Sequence, residues 1–247
     1  MLKIFKADLH IHTCLSPCAD LDMTPSAIVK AALDQGMDII AITDHNSAEN
    51  FHAAQRAAGL TELTVLGGME ITSSEEAHIL ALFDSGEKIV AMQEYVYDNM
   101  LPAVNDEKYY GDQIVVNECD EVLGFNRRLL IGATVLNANQ IVDQVHAFDG
   151  LAIASHIDRD YFSITSQLGF IPEDLDFDAL EISPATGMDQ ARRKFRQYRN
   201  YAWISASDAH CIQDIGQRKT FFTMESATIE EMKLACSNRK GRKVEWE

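Results

Sequence analysis

Short β-rich runs alternate with amphipathic stretches along most of the chain, and this alternation restricts the fold more than any other feature. Strands are predicted at 3–12, 38–45, 63–72, 77–83, 151–156, 179–183, 203–208 and 219–224. Helices are predicted at 26–35, 48–58, 87–100, 139–148, 189–198 and 229–237. Strands and helices that alternate at this spacing favour parallel βα units that close into an α/β barrel.

Residues 102–138 do not follow this pattern, because glycines, charges and short apolar runs are mixed there without a clear period. We expect this stretch to be an irregular excursion from the barrel, an insertion or a lid over the active site. A chain of 247 residues is routinely one domain when it forms an α/β barrel. We therefore expect a single barrel domain over residues 1–247.

Composition indicates the environment of the protein. The net charge of −17 repels polyanions, so we expect no binding of long nucleic acid. No apolar run approaches the roughly 18–20 residues of a membrane span, and residues 1–5 lack the features of a secretory signal. The five cysteines are an odd number, so reduced thiols in a cytoplasmic protein are expected.

Histidines are concentrated at the ends of the predicted strands. Six of the eight histidines lie there: His10, His12, His45, His78, His156 and His210. Residues two apart on a strand share a face, so Asp8, His10 and His12 are predicted to point the same way. A solvated alternating strand would also explain this run taken alone. The other two histidines, His52 and His146, lie in predicted helices and are interpreted as surface or packing residues.

Other strand ends carry further metal-type ligands. A strand ends at Glu70, another at His156, and Asp208-Ala209-His210 follows a third. In a parallel barrel the carboxyl ends of the strands meet at one mouth, where barrel enzymes keep their chemistry. Glu181 ends another strand, either as support for the site or as a solvated acid. The basic residues of the helix over 189–198 are interpreted as a solvated helix face: Arg192, Arg193, Lys194 and Arg196, with Arg199 just beyond.

Taken together, these ordered motifs resemble the PHP family, the polymerase and histidinol phosphatase superfamily of metal-dependent phosphoesterases. The motifs are Asp8-Leu9-His10-Ile11-His12-Thr13, Thr43-Asp44-His45, Gly68-Met69-Glu70, Ala77-His78, Ser155-His156 and Ser207-Asp208-Ala209-His210. The resemblance implies a distorted (β/α)7 barrel with two or three divalent ions, Zn, Mn or Fe.

The resemblance also implies the ligands. The first ion would be held by His10, His12, Glu70 and Asp208, and Glu70 would bridge to a second ion held by His78 and His156. His45 and His210 would hold a third. In some family members a histidine or aspartate just after the first motif completes that site. No histidine occurs in residues 14–20 here, so Cys18 is our hypothesis for the ligand, with Asp20 or water as the alternative.

Carboxylate-bridged ions would turn water into a hydroxide nucleophile. Glu70, Asp208, His210 and Asp44 are the expected catalytic residues, and Asp8 and Asp44 could orient ligand imidazoles. Arg159 and Arg218 follow ligand-bearing strand ends and suit phosphate, although surface salt bridges explain them equally well.

We therefore expect hydrolysis of a phosphate ester in a small metabolite or short nucleotide. The alternatives are a nuclease that trims nucleic-acid ends, for which no basic stripe with interleaved aromatics is visible in the sequence, and a non-catalytic metal-binding regulatory module.

Overall fold

The computed structural model describes residues 1–246. The strands are β1 (Lys3–Ile11), β2 (Ile39–Ile42), β3 (Thr64–Thr72), β4 (His78–Phe83), β5 (Ile114–Val116), β6 (Val122–Phe125), β7 (Leu151–Ala154), β8 (Ala179–Ile182), β9 (Ala202–Ser205), β10 (Thr220–Met224) and β11 (Lys243–Trp246). The helices are α1 (Pro25–Asp34), α2 (Phe51–Ala58), α3 (Gly86–Asp98), α4 (Glu107–Tyr110), α5 (Ala138–Ala147), α6 (Ile164–Leu168), α7 (Met188–Lys194) and α8 (Ile229–Cys236). Short 3-10 turns occur at Arg196–Tyr198 and Ile212–Asp214.

Nine strands form one mixed sheet in the order β11-β10-β1-β2-β3-β4-β7-β8-β9. The two strands at the ends of this order, β11 and β9, lie against each other. The sheet is therefore rolled into a nearly closed barrel with helices around it, which confirms the predicted α/β barrel.

The prediction of parallel strands is wrong for β4 and β10. Strand β4 is antiparallel to both β3 and β7, and β10 is antiparallel to β1 and β11. The physical reason at β4 is the short link over residues 73–77, because a parallel crossover needs about a dozen residues or more. As a result His78, the first residue of β4, pairs with Thr72, the last residue of β3. The start of β4 therefore lies at the same edge of the sheet as the end of β3.

Apolar side chains cover both faces of the sheet. Leu9, Ile39, Leu66, Leu82 and Ile153 fill the inside of the barrel, and α8 packs against this layer at one end. The outer faces of the strands pack against α1, α2, α3 and α5. Full burial of an aliphatic side chain of this size contributes about 1.5–3 kcal/mol, so the two layers hold the strand ends in a rigid frame.

The expected excursion over residues 102–138 contains α4 and a two-stranded sheet of β5 and β6. It lies beside the loop that follows β1. The Ile114 amide donates to the Cys14 carbonyl (3.0 Å), and the Val116 amide donates to Asn50 Oδ1 (3.0 Å). A Cβ atom at Gly111 would lie 2.9 Å from the Pro17 carbonyl oxygen, so this contact requires glycine. Whether the segment acts as a lid remains a prediction.

None of the helices formed by residues 1–246 combines the length and the apolar composition needed to cross a lipid bilayer.

Candidate metal centre

Six histidines and two carboxylates meet at one edge of the barrel. His10 is the last residue but one of β1, and His12 follows the strand. His45 follows β2, Glu70 lies near the end of β3 and His78 begins the antiparallel β4. Asp208 and His210 follow β9, and His156 follows β7. The strand directions thus bring to one place residues that are widely separated in the sequence.

Glu70 lies at the centre of this cluster. Its Oε1 is 2.8 Å from His78 Nδ1 and 3.1 Å from His156 Nε2. Its Oε2 is 3.2 Å from His45 Nδ1 and 3.4 Å from His12 Nε2. One buried carboxylate therefore contacts imidazoles from four separate segments of the chain.

Asp208 forms a second point of convergence. Its Oδ1 lies 3.3 Å from both His10 Nε2 and His12 Nε2. The His210 Nδ1–H donates to the Asp208 carbonyl oxygen (2.8 Å), so the lone pair of His210 is on Nε2. The His210 ring stacks on His12 with 4.3 Å between centroids.

Three groups of side chains place their ligand atoms within 4.8 Å of one another. They are His10, His12 and Asp208; His45, Glu70 and His78; and His12, Cys18, His45 and His210. His156 adds a further nitrogen at Glu70. The nine residues expected from the sequence to hold metal are therefore close together in the fold.

The chemistry of these atoms fits divalent cations. His45 Nδ1 is buried and forms no hydrogen bond among residues 1–246, an arrangement that costs about 1–3 kcal/mol without a partner. Burial lowers the pKa of His45 well below its usual range, which leaves a neutral imidazole with a free lone pair. Nitrogen and carboxylate donors together suit Zn, Mn or Fe.

Glu70 stays ionised in this environment. Burial alone would raise its pKa, but His78 and His10 hold the pKa well below its usual range. The pKa of Asp208 is likewise lowered, because His10 and His12 outweigh the effect of burial. The two ionised carboxylates are therefore available as anionic ligands for cations.

Glu181 contacts the nitrogen of His10 that faces away from Asp208. Both of its carboxylate oxygens lie 3.1 Å from His10 Nδ1, and Oε2 accepts the backbone N–H of His156 (2.8 Å). The His10 ring therefore donates from Nδ1 and turns Nε2 towards Asp208. The sequence offered two interpretations of Glu181, and the structure shows a buried residue in contact with the site rather than a solvated acid.

Asp44 contacts Ser16 rather than an imidazole. It accepts from the Thr13 backbone N–H (2.7 Å) and from the Ser16 hydroxyl (2.7 Å). The Ser16 oxygen then lies 3.0 Å from His12 Nδ1, from which it accepts. Sequence reasoning missed Ser16, because a serine in a loop carries no pattern of its own.

Asp8 does not share the direction of His10 and His12. The pairing of β1 with β2 is irregular between Asp8 and Ile11, so the strict alternation of faces fails there. Asp8 instead accepts the backbone N–H groups of Ser207 (2.9 Å) and Gly216 (2.9 Å). It thereby anchors the loop that carries Asp208, and burial raises its pKa to about 6.

The two cysteines after β1 differ in position. Cys18 is exposed, and its sulfur belongs to the group with His12, His45 and His210. Cys14 is buried and points towards the Ile114 carbonyl (3.8 Å). The structure thus places Cys18, and not Cys14, beside the imidazoles.

The two candidate arginines lie at or near the mouth. Arg159 Nη2 is 2.6 Å from Asp208 Oδ2, with its side chain 44% exposed. Arg159 lines a cavity of 710 Å³ that reaches His78, His156 and Asp208. Arg218 donates to the carbonyl of Pro184 (2.8 Å), a residue of the same cavity wall.

The remaining histidines lie elsewhere. His52 is in α2 and its ring contacts Phe51. His146 is in α5 and pairs with Asp178 (3.0 Å).

Backbone strain occurs at two of the site residues. His156 has φ 27° and Asp208 has φ 51°, in the left-handed region that costs a non-glycine residue roughly 1–3 kcal/mol. Both residues contact carboxylates or imidazoles of the cluster, so the surrounding structure holds them in these conformations.

The family model of the PHP domain matches residues 8–131, which is half of the chain. The chain belongs to the PHP domain family. Glu70 and the loop after β1 lie within the matched residues, and so do most of the imidazoles that contact Glu70.

Among curated proteins, this PHP domain is 30% identical over 149 residues to a PolC-type DNA polymerase III of Clostridium perfringens, covering 58% of the chain and 9% of the polymerase. An uncharacterized protein of Methanocaldococcus jannaschii is 27% identical over 194 residues, covering 74% of the chain and 84% of that protein. The chain thus spans about a tenth of the polymerase that it resembles.

Among solved structures, a lesion-specific endonuclease from Pyrococcus furiosus superposes with a TM-score of 0.75 at 18% identity, covering 98% of this chain and 58% of the endonuclease. A two-domain protein from Bacteroides vulgatus, described as containing a PHP-like metal-dependent phosphoesterase, superposes with a TM-score of 0.60 at 14% identity and covers all of the chain and 65% of that protein. At these identities the likeness establishes the PHP fold.

Proposed function

We propose that this PHP domain is a metal-dependent phosphoesterase. The observation that carries the proposal is Glu70, one ionised carboxylate in contact with imidazoles from several strand ends. Such a cluster would destabilise a core without metal ions, because burying imidazoles and carboxylates costs free energy when their charges are not compensated. Divalent ions bound there would activate a water molecule and neutralise phosphoryl oxygens.

We assign His10, His12, Glu70 and Asp208 to the first ion, with Glu70, His78 and His156 on a second. His45, His210 and Cys18 form the third site. Zn, Mn or Fe are the ions that suit this set. Glu181 and Ser16 hold the His10 and His12 rings with Nε2 facing the ions, and Asp44 holds Ser16.

The substrate enters through the cavity beside Asp208. Asp208 lines this cavity and His210 lies next to it, so both would be close to the reacting water and the leaving group. Arg159 lines the same cavity and is placed to hold a phosphoryl oxygen. The cavity volume of 710 Å³ suits a small phosphate ester or a short nucleotide. Residues 102–138 contact the loop that carries Cys18, and we propose that they control the access of substrate from that side.

A nucleic-acid substrate is the second candidate, because one solved relative of this fold is Endonuclease Q in complex with a 27-mer duplex. That relative runs against the expectation from net charge that long nucleic acid is excluded. The net charge alone therefore does not exclude long nucleic acid.

A substrate panel tests both candidates. The metal-loaded protein is assayed with phosphomonoesters, mononucleotides, phosphodiesters and single-stranded oligonucleotides, with a chelated sample as control. We expect turnover of at least one ester class that chelation abolishes and added metal restores. If no ester is hydrolysed while the metals are bound, the regulatory-module alternative replaces this proposal.

Replacing Cys18 with serine is expected to lower the metal content by about one equivalent per chain, since a thiolate is a strong zinc ligand. Elemental analysis of the purified variant measures this. Cys119→Ser is the matched control, because Cys119 is also exposed but belongs to the excursion. Alkylation of Cys18 at the same rate in metallated and apo protein would rule out ligation.

Replacing Arg159 with lysine is expected to lower kcat/KM about tenfold, the equivalent of one charge-assisted hydrogen bond. Metal content should stay unchanged, because lysine keeps the positive charge near Asp208. Arg218→Lys is measured in parallel. Arg56→Lys is the control, since Arg56 pairs with Glu118 on the surface. Unaltered kinetics in both test variants would remove the arginines from phosphate binding.

A further inference from the structure

A second groove runs along the seam where β9 and β11 meet, on the outer face of the barrel. Its volume is 1120 Å³. We call it the seam groove and define it by six of its lining residues: Arg192, Arg196, Arg199, Trp203, Phe221 and Trp246. These residues come from α7 and the turn after it, from β9, from β10 and from β11.

The seam groove is positively charged although the chain carries a net charge of −17. Arg192, Arg196 and Arg199 are all exposed. Within residues 1–246 none of the three lies within 4.0 Å of a carboxylate oxygen. The other charges in the lining compensate each other, because Lys243 pairs with Glu245 (2.7 Å). Three uncompensated guanidinium groups therefore face one groove, and they attract anions.

Aromatic rings form the wall between these arginines and the sheet. Trp203 and Phe221 are half-buried, so each presents part of its ring to the groove. The Trp203 indole N–H donates to the Tyr198 carbonyl (3.0 Å), which holds the ring in place. Arginines that track a phosphate backbone, next to aromatic rings on which bases stack, are the two elements of single-strand nucleic-acid binding.

We propose that the seam groove binds a single strand of nucleic acid. The phosphates contact Arg192, Arg196 and Arg199, and an unpaired base stacks on Trp203. A paired base cannot present its face to a ring in the wall, so the groove selects a single strand over a duplex. The basic residues of α7, which the sequence suggested were a solvated face, acquire this role only because distant strands bring aromatic rings beside them.

Both tryptophans of the chain line the seam groove, so intrinsic fluorescence reports on this site. The metal-loaded protein is titrated with a fluorescein-labelled phosphorothioate strand of about 12 thymidines, a length typical of such sites. The anisotropy of the fluorescein label measures binding, and the emission of tryptophan measures contact with the groove. We expect saturable binding that quenches tryptophan with the same midpoint as the anisotropy change.

The decisive comparison is between Arg196→Glu and Arg193→Glu. Both change the charge by the same amount and both residues are exposed, but Arg193 does not line the groove. Arg196→Glu should weaken binding at least tenfold and lower the salt slope by about 0.7, the value for one lost phosphate contact. Arg193→Glu should change the dissociation constant less than threefold. Where Arg196→Glu folds poorly, Arg196→Gln with Arg192→Gln replaces it.

Three results would overturn the proposal. Equal losses of affinity in the two variants would indicate only a long-range electrostatic field, and binding without tryptophan quenching would place the strand elsewhere. Equally tight binding of a duplex or of inorganic polyphosphate would show that the bases play no part in recognition. Hydrolysis of phosphate esters is measured separately in the same variants. Absent hydrolysis with intact strand binding overturns the proposed function alone.

Discussion

Replacing Glu70 with glutamine is expected to lower kcat/KM for a phosphate ester by about 10³-fold, because metal ions contribute several kcal/mol to the transition state and each 1.36 kcal/mol is tenfold. Glutamine has the same shape but no charge, and its amide nitrogen cannot bind a cation. Since Glu70 contacts His12, His45, His78 and His156, its loss affects more than one ion. Elemental analysis should show that over one equivalent of metal is lost.

His52→Ala and His146→Ala are the controls for this experiment, because both histidines lie in helices away from the cluster. Metal content and turnover should stay close to the unmodified protein in each. A loss of one metal equivalent in either control would show that the assignment of strand-end histidines to the site is wrong. Full metal content in Glu70→Gln would remove the carboxylate from the bridging position.

Replacing Glu181 with glutamine is expected to reduce metal affinity or activity by about 10–100-fold, the usual effect of losing the carboxylate that orients a ligand imidazole. The His10 Nδ1–H now donates to Glu181 (3.1 Å), and this fixes Nε2 as the ligand atom. An amide can present its NH₂ group to His10 and favour the other tautomer. Titration with zinc or manganese in competition with a chromogenic chelator measures the affinity.

Asp178→Asn is the matched control for Glu181→Gln. Asp178 also pairs with a histidine, His146, and accepts a backbone N–H, from Ala152 (2.9 Å), but it lies outside the cluster. Its replacement should cost stability without changing metal affinity. If both variants lose metal equally, the effect of Glu181 is general destabilisation and not the orientation of His10.

The sequence predicted the elements that local physics controls. Strand β3 and helix α1 were predicted to within one or two residues, because an apolar run between turn residues or a Thr24 cap with Pro25 specifies each of them locally. The residues of the cluster could be selected because metal-type ligands at strand ends have few structural uses. Their distances and hydrogen bonds depend on how the strands are ordered, which the sequence pattern does not contain.

The remaining features depend on contacts between distant segments. The antiparallel direction of β4 follows from the link at 73–77, which is too short for a parallel crossover. Helix α6 and strand β11 were not predicted at all, because each is a short run that is stabilised by its neighbours. Ser16 and the seam groove belong to the same class, since their partners come from other parts of the chain.

The contact of β9 with β11 closes the barrel, and β11 joins the sheet through β10. The pairing of β10 with β1, which brings Met224 to Lys3, therefore has a consequence for folding kinetics. Contacts between segments this far apart along the chain form slowly, because a large loop must close before they can stabilise the structure. The two tryptophans lie where the last strands come together, so their emission should change in the slowest refolding phase. Far-ultraviolet circular dichroism, which records the helices around the barrel, should recover earlier in the same experiment.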